Sequence, residues 1–597
     1  MTSPTQIEKY LKKYFGFDEF RIHQQEIVEA MLAKKDVVAV LPTGSGKSLC
    51  YQLPAIITEG TAIVISPLIA LMEDQVQSLQ TMGVKAAYIN SQLSLTEQRQ
   101  IIANFNDYDL IYLAPERILK DGFLDEIITA KISYLIIDEA HCISQWGHAF
   151  RPEYRQLAAL RAKFPNVPAA AFTATATNAV IQDMKLQLGL ASPFTIVGSF
   201  DRPNLSIRVI PRENGLSQLI SFIDDRKKES GIIYSSTRDS VDKLHITLKE
   251  KGFQVEKYHA GMTDQDRRQS QRRFLKDDSL LMVATIAFGM GVHKPDVRYI
   301  VHMDLPKSIE GYYQEIGRAG RDGLPADCLM LFGTQDYILQ KRMVDDAGDV
   351  SVKQNMLRRL EQFFTFCHSS TCRRKEILHY FGETYPESNC KNCHNCLDDA
   401  VTEDATIISQ KILSCVYRMQ QRFGISLVVD VLNGADTQQI KQYNFNSLTT
   451  YGLLKELNKL EIRHYVFSLI NQNYLKMTDG QYPVLQLTDL SWKVLKEGQT
   501  VSIRKKIINK NSKNKKINNK IESNPLFLKL KEIRKEIADK SGIAPYMVFH
   551  DKHLLHMSEV KPKDIHTFKE VQGVGDQKLK KYAIPFLDAI KEFDLNN

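Results

Sequence analysis

The stretch VVAVLPTGSGKS, at residues 37–48, joins an apolar run to a glycine-rich turn. The run is short and β-branched, which is typical of a strand buried on both faces of a parallel sheet. Gly44 and Gly46 let backbone N–H groups point into a concave turn, and a following helix would add its positive N-terminal end. Lys47 supplies a charge for β- and γ-phosphates, and the Ser48 hydroxyl is suited to Mg²⁺. The stretch therefore predicts a strand, a phosphate-binding turn and a helix.

Apolar runs of the same kind continue along the chain, with amphipathic segments between them. Four lie at 62–66, 110–113, 134–138 and 170–173, and five more at 231–236, 255–260, 280–285, 299–304 and 327–332. Alternating strands and helices predict two tandem α/β domains, each with a parallel sheet, and a cleft between them. In such sheets ligands bind beyond the carboxyl ends of the strands, which is where the polar motifs stand.

An acidic motif, Asp138-Glu139-Ala140-His141, ends one of these runs. Asp138 is suited to hold Mg²⁺ through water, and Glu139 is suited to orient and deprotonate an attacking water. The alternative for this motif is a solvated acidic loop. For the glycine-rich turn the alternative is a turn without a ligand, because Leu41 stands where the strict phosphate-loop pattern has glycine. The order of the two motifs, each at the end of a buried strand, favours a nucleotide site.

The residues that follow, CISQWGHAFRP at 142–152, resemble the aromatic-rich loop that marks RecQ helicases. In that family the loop senses single-stranded DNA and couples it to ATP hydrolysis. Trp146 and Phe150 offer faces on which bases stack, and Arg151 offers a positive charge. The alternative for Trp146 is a place in the core, which its polar neighbours disfavour.

Other motifs resemble the same family in order along the chain. Phe17, Arg21 and Gln24 match its adenine-recognition motif, although many members have tyrosine where Phe17 stands. In QEIGRAGR, at 314–321, the resemblance implies that Arg321, with Arg318 beside it, reaches across the cleft to the γ-phosphate. The alternative is an exposed basic turn.

Two sets of residues are thus predicted for the nucleotide. The predicted nucleotide-binding residues are Phe17, Arg21, Gln24, Thr43, Gly44, Ser45, Gly46, Lys47 and Ser48. The predicted catalytic residues are Lys47, Asp138, Glu139, His141, Arg318 and Arg321, and Ser48 and Asp138 are the predicted magnesium ligands.

Four of the nine cysteines are clustered, at Cys372, Cys390, Cys393 and Cys396. Four thiolates meet the tetrahedral demand of structural Zn²⁺, and RecQ proteins carry a zinc segment with this pattern. Cys367 and His394 lie close enough in the sequence to compete as ligands. Either could therefore replace Cys372 as the fourth ligand. An iron–sulfur cluster is the alternative metal group.

The C-terminal third differs in pattern from the α/β part. Residues 405–500 resemble the family's winged-helix domain, with a DNA-facing helix at 461–475 and a hairpin around Asp479-Gly480. Tyr482, near the hairpin tip, is the candidate strand-separating residue, and a purely structural hairpin is the alternative. The terminal segment resembles an HRDC module, which is expected to bind DNA or protein.

The expected fold is α/β, with two tandem RecA-like parallel-sheet domains followed by a helical zinc segment, a winged-helix domain and a small all-α domain. The expected boundaries are 1–205, 206–340 for the two α/β domains, 341–400 for the zinc segment, 401–502 for the winged helix, 503–522 for a basic flexible linker and 523–597 for the HRDC domain.

The resemblance covers roughly residues 5 to 595 and implies an ATP-dependent 3′–5′ DNA helicase with ATP, Mg²⁺ and Zn²⁺. Single-stranded and branched DNA are the expected partners, with single-stranded DNA-binding protein and other repair proteins beside them. An RNA helicase and a scaffold that binds nucleic acid without hydrolysing ATP are the alternatives.

The net charge is +8, and the stretch from Arg504 to Lys520 carries eight basic residues and no acid. Any nucleic-acid surface elsewhere must therefore come from local patches. The sequence shows neither a signal peptide nor an apolar run of about 18 residues, so we expect no membrane span. The expected location is cytoplasmic in a bacterium and nuclear in a eukaryote.

Overall fold

The computed structural model describes residues 4–67, 69–90, 93–118, 122–144, 151–289, 294–345, 350–369, 371–397, 402–478, 484–504 and 524–595. Within them, seven parallel strands form the first sheet, in the order β3-β4-β2-β5-β6-β1-β7. The strands are β1 Val37–Val40, β2 Thr61–Ile65, β3 Ala86–Ile89, β4 Leu110–Leu113, β5 Ile132–Ile137, β6 Ala169–Thr173 and β7 Phe194–Val197.

Helices cover both faces of this sheet, so its central strands are buried on both sides. The helices are α1 Pro4–Tyr10, α2 Gln24–Leu32, α3 Lys47–Ile57, α4 Ile69–Thr81, α5 Leu95–Ala103, α6 Pro115–Ile118, α7 Phe123–Glu126, α8 Pro152–Arg155, α9 Leu157–Lys163 and α10 Asn178–Gln187. This double burial is why β1, β2 and β4 read as continuous apolar runs.

The second sheet repeats the design with six parallel strands among the described residues, in the order β10-β11-β9-β12-β13-β8. Its strands are β8 Leu205–Pro211, β9 Ser230–Tyr234, β10 Val255–Tyr258, β11 Leu281–Ala284, β12 Val297–His302 and β13 Ala326–Phe332. Its helices are α11 Gly215–Asp224, α12 Arg238–Glu250, α13 Asp264–Leu275 and α14 Ile309–Ile316. The prediction of two tandem parallel-sheet domains is confirmed.

Three strands were not predicted. Strand β3 has alanine at two of its four positions, and alanine is depleted in strands. Strands β7 and β8 are sheet edges, where alternation with polar residues replaces a continuous apolar run. The three missed strands are all edge strands, whereas the fourth edge strand, β10, was predicted.

The zinc segment and the winged-helix domain follow the second sheet. The zinc segment has α15 Thr334–Asp345, α16 Val350–His368, α17 Arg373–Tyr380 and α18 His394–Leu397. The winged-helix domain has β14 Thr402–Asp404, α19 Thr406–Arg418, α20 Ile425–Asn433, α21 Gln438–Gln442, α22 Lys459–Asn471, β15 Leu475–Met477, β16 Leu485–Leu487, α23 Asp489–Lys496 and β17 Ser502–Arg504.

The predicted hairpin is present, because β15 and β16 pair antiparallel. Its tip lies outside the described residues. The predicted helix at 461–475 runs from Lys459 to Asn471 instead, because Asn473 adopts a φ of 60° and the chain then enters β15. Phe467 of this helix is buried and stacks on His368 of the zinc segment, at 5.2 Å between ring centroids.

The terminal domain is helical, as expected, with one apolar core of its own. It has α24 Pro525–Ser541, α25 Pro545–Val548, α26 Asp551–Val560, α27 Ile565–Lys569 and α28 Asp576–Leu595. Most of the predicted linker lies outside the described residues. None of the described helices combines the length and the apolar character that crossing a membrane requires.

Candidate active site and metal centre

The glycine-rich turn between β1 and α3 has the conformation that its glycines predict. Gly44 and Gly46 adopt φ values of 86° and 83°, which side chains other than glycine rarely tolerate. A Cβ atom on Gly46 would also lie 2.4 Å from Nε2 of Gln24. Helix α3 begins at Lys47, so its positive end faces the turn.

Lys47 lies between the two carboxylates of the acidic motif. Its Nζ is 2.9 Å from Oδ1 of Asp138 and 3.5 Å from Oε1 of Glu139. Burial alone would lower the pKa of Lys47, but the attraction of both carboxylates outweighs it and raises that pKa. Lys47 therefore stays charged in a pocket that holds both acids.

His141 connects this motif to the second α/β domain. Its Nδ1 lies 2.8 Å from Oγ1 of Thr173, at the end of β6, and 3.4 Å from Oε2 of Glu139. From the second domain, Gln314 donates to Oγ1 of Thr175 at 3.1 Å, and its Nε2 is 3.5 Å from Nε2 of His141. His141 therefore lies between Glu139 of the first domain and Gln314 of the second.

Arg318 and Arg321 line the same cavity from the opposite side, and its volume is about 370 Å³. The Cα of Arg321 would lie 3.4 Å from a Cβ on Gly44, so the arginine loop abuts the phosphate turn. Burial, together with repulsion from Arg318 and Arg202, lowers the pKa of Arg321 to about 9. Buried guanidinium groups that repel each other favour an incoming polyanion.

Arg202 is a residue of this site that the sequence analysis missed. One of its guanidinium nitrogens donates to the Thr43 carbonyl at 2.7 Å, and the other donates to the carbonyls of Ala319 and Gly320 at 3.0 Å. Arg202 thereby links the phosphate turn to the arginine loop. Its signal in the sequence is faint, since it is a lone arginine between the two α/β patterns.

The predicted adenine-recognition residues lie against the phosphate turn. Arg21 donates to the Gly44 carbonyl at 2.6 Å, and the Gln24 amide donates to the Ser45 carbonyl at 2.8 Å. Phe17 is partly buried and lines the cavity. Of the nine predicted nucleotide-binding residues, all except Ser45 line the cavity.

The residues predicted for magnesium fit that ion. Ser48 and Asp138 both line the cavity, and hydroxyl and carboxylate oxygens are the donors that Mg²⁺ prefers. Mg²⁺ usually keeps several waters, so two protein donors are sufficient.

The four clustered cysteines form the metal centre. The sulfur atoms of Cys372, Cys390, Cys393 and Cys396 all lie within 4.8 Å of one another. That spacing fits four thiolates around a tetrahedral Zn²⁺, whose Zn–S bonds are about 2.3 Å. The Cys393 N–H donates to the Cys390 sulfur at 3.2 Å, which orients that thiolate.

Neither competing ligand belongs to the group of four sulfurs among the described residues. Nδ1 of His394 accepts a hydrogen bond from the Val209 N–H of strand β8 at 3.3 Å. Cys367 is not grouped with the four sulfurs among the described residues. The geometry therefore favours Cys372 as the fourth ligand.

Of the residues predicted to contact DNA, only Arg151 is described. Its guanidinium donates to the Pro67 carbonyl at 3.1 Å, which ties the end of the aromatic-rich loop to the first sheet. Trp146, Phe150 and Tyr482 lie outside the described residues.

Five protein families match consecutive parts of the chain. They are described as DEAD/DEAH box helicase at 21–184, helicase conserved C-terminal domain at 214–323, RecQ zinc-binding at 334–397, RQC domain at 399–535 and HRDC domain at 523–590.

Curated relatives match nearly the whole chain. An ATP-dependent DNA helicase RecQ of Pasteurella multocida is 40% identical, over 98% of this chain and 93% of its own length. A protein of the same name from Bacillus subtilis is 38% identical, over 98% of each chain. At this identity across more than nine tenths of each chain, the chain belongs to the RecQ family of ATP-dependent DNA helicases.

Proposed function

We propose that this chain hydrolyses ATP in the cavity between its two α/β domains and uses that cycle to move 3′ to 5′ along single-stranded DNA. The chain is an ATP-dependent DNA helicase of repair and recombination, with ATP as its substrate and Mg²⁺ and Zn²⁺ as cofactors. The observation that carries the proposal is that Lys47, Glu139 and Arg321 line one cavity from two domains.

Each side chain has a role that its position supports. Lys47 and the backbone of the phosphate turn would bind the β- and γ-phosphates, and Glu139 would accept a proton from the attacking water. Arg321, with Arg318, would stabilise the charge that develops on the γ-phosphate. When bound, Mg²⁺ neutralises phosphate charge.

Strand movement would follow from the contacts that cross the cleft. Arg202 joins the phosphate turn to the arginine loop, and Gln314 contacts Thr175 near His141, so both sides of the cleft would respond to a bound nucleotide. Loss of the γ-phosphate would remove the anion that holds the two domains together. Opening and closing of the cleft would then shift the chain along a bound strand.

The zinc centre would stabilise the fold rather than act on DNA. The segment that carries it contacts strand β8 through His394, and α17 begins directly after Cys372. Structural zinc sites contribute about 10–16 kcal/mol in apparent terms.

We also propose branched DNA as a substrate, and single-stranded DNA-binding protein and other repair proteins as partners. The family membership supports these proposals. It also supports the proposed location, which is the cytoplasm in a bacterium and the nucleus in a eukaryote. A forked-duplex unwinding assay with ATP and Mg²⁺ tests the function, with a matched RNA fork as its control. ATP hydrolysis that only RNA stimulates would favour the RNA helicase alternative.

A further inference from the structure

The terminal helical domain packs against the adenine side of the nucleotide cavity. The turn between α27 and α28 touches the loop before α2, where the Gly573 N–H donates to the Gly16 carbonyl at 3.1 Å. A Cβ on Gly16 would lie 2.6 Å from the Gly575 nitrogen, so the two backbones are in direct contact. Gly16 immediately precedes Phe17 of the predicted adenine-recognition motif.

A second contact joins α25 to the first α/β domain. The Tyr546 hydroxyl donates to Oδ1 of Asp74, on α4, at 2.6 Å. Both side chains line the nucleotide cavity. Burial raises the pKa of Asp74 to about 6, although the hydrogen bond from Tyr546 opposes that rise.

A third contact joins α24 to the second α/β domain. Arg534 is fully buried, with one nitrogen 2.7 Å from Oδ1 of Asp551 and another 3.9 Å from Oδ2 of Asp296. Asp296 also lies 3.2 Å from Nζ of Lys294. The terminal domain therefore holds both α/β domains at once and spans the mouth of the cleft.

The terminal domain also contributes a positive charge to the lining of the cavity. Lys578, on α28, lines the same cavity as Lys47 and Arg321. Its Nζ lies 5.4 Å from the centroid of the Phe549 ring, and no described carboxylate pairs with it. Burial lowers the pKa of Lys578 to about 8. A partly buried cation with no described carboxylate partner is stabilised when an anion enters.

We propose that the terminal domain is a third wall of the nucleotide cavity and that Lys578 is a binding residue that retains bound ATP and ADP. The inference rests on the proposed nucleotide site. A role in DNA binding alone would not account for a lysine that lines the nucleotide cavity without a described carboxylate partner.

Release of a fluorescent ADP tests this proposal. The full-length chain is loaded with mant-ADP and Mg²⁺ without DNA and chased with unlabelled ADP. The variants are Lys578→Met, Tyr546→Phe, which loosens the wall, and Lys591→Met. Lys591 is an exposed lysine on the same helix and serves as the matched control. We expect Lys578→Met to release mant-ADP about tenfold faster, as for the loss of one charge-assisted contact.

The steady-state constants separate a loss of nucleotide binding from a general structural effect. We expect Lys578→Met to raise the KM for ATP with little change in kcat at saturating ATP and DNA, and Lys591→Met to match wild type. Release at the wild-type rate from both Lys578→Met and Tyr546→Phe would overturn the inference. Lys47→Ala is measured alongside to test the nucleotide site itself. If that variant does not hydrolyse ATP, the proposed nucleotide site is retained even when the inference about Lys578 fails. If it hydrolyses ATP as wild type does, the proposed nucleotide site fails as well.

Discussion

Lys47, Glu139 and Arg321 reach one cavity from three parts of the chain, and the charges around them decide what enters it. Lys47 is held by two carboxylates, whereas the Arg321 guanidinium is disfavoured by burial and by the neighbouring arginines. This asymmetry leaves room for an anion on the arginine side. The site is therefore arranged for a polyphosphate between Lys47 and the arginine loop.

Substitution of Glu139 tests whether the acidic motif activates the attacking water. We expect Glu139→Gln to lower the kcat of DNA-stimulated ATP hydrolysis about 10²- to 10⁴-fold, because the amide cannot accept the proton of the attacking water. ATP and DNA binding should persist, since the side chain keeps its size. Glu59→Gln, at an exposed glutamate of the same domain, is the control. Equal hydrolysis by wild type and Glu139→Gln would remove Glu139 from this role.

Substitution of Arg321 tests whether the second α/β domain contributes to ATP hydrolysis. We expect Arg321→Ala to lower kcat about 10³- to 10⁵-fold, as for the loss of an arginine finger. Binding of mant-ATP should weaken far less, because the phosphate turn remains intact. Arg272→Ala, at an exposed arginine on α13, should hydrolyse ATP as wild type does. A variant Arg321→Ala with normal turnover would contradict the cross-domain site.

The residues of the phosphate turn were predictable because their signal is local. Gly44, Gly46 and Lys47 are fixed by one strand, one turn and one helix, which a short stretch of sequence specifies. Arg202 was not predictable in this way. Its partners Thr43 and Ala319 are 159 and 117 residues away, so its role exists only after both sheets have formed.

At the scale of elements, the buried strands were easier to predict from the sequence than the edge strands or the ends of helices. Strands β1, β2 and β4 were predicted because both their faces are covered, whereas the edge strands β7 and β8 lack that pattern. The length of α22 was mispredicted because helical periodicity does not show where Asn473 turns the chain.

The structural role of the zinc centre can be tested by replacing one of its ligands. We expect Cys393→Ser to lose bound zinc and to unfold at a lower temperature than wild type, because three thiolates hold the ion poorly and structural zinc contributes about 10–16 kcal/mol. Metal analysis and thermal melting measure both effects. Cys415→Ser changes a buried cysteine outside the cluster and should keep its zinc. A wild-type chain that folds normally without metal would contradict the structural role.

At the scale of the whole molecule, the domains are joined by a few specific contacts that sequence patterns do not reveal. The family resemblance predicted the order of domains, and the matches to RecQ relatives confirm the family. The position of the terminal domain was not predicted. It depends on pairs such as Tyr546 with Asp74, which are 472 residues apart and carry no periodic signal.

The central claim is that ATP hydrolysis between the two α/β domains drives strand separation. Its most direct measurement is unwinding of a forked DNA duplex with ATP and Mg²⁺, recorded together with ATP hydrolysis, for wild type and Lys47→Ala. We predict that wild type separates the strands and hydrolyses ATP only when DNA is present. Lys47→Ala should do neither while it still binds DNA, because it lacks the charge that holds the phosphates. Unwinding by Lys47→Ala at the wild-type rate, or a wild-type chain that does not hydrolyse ATP with DNA present, would contradict the account.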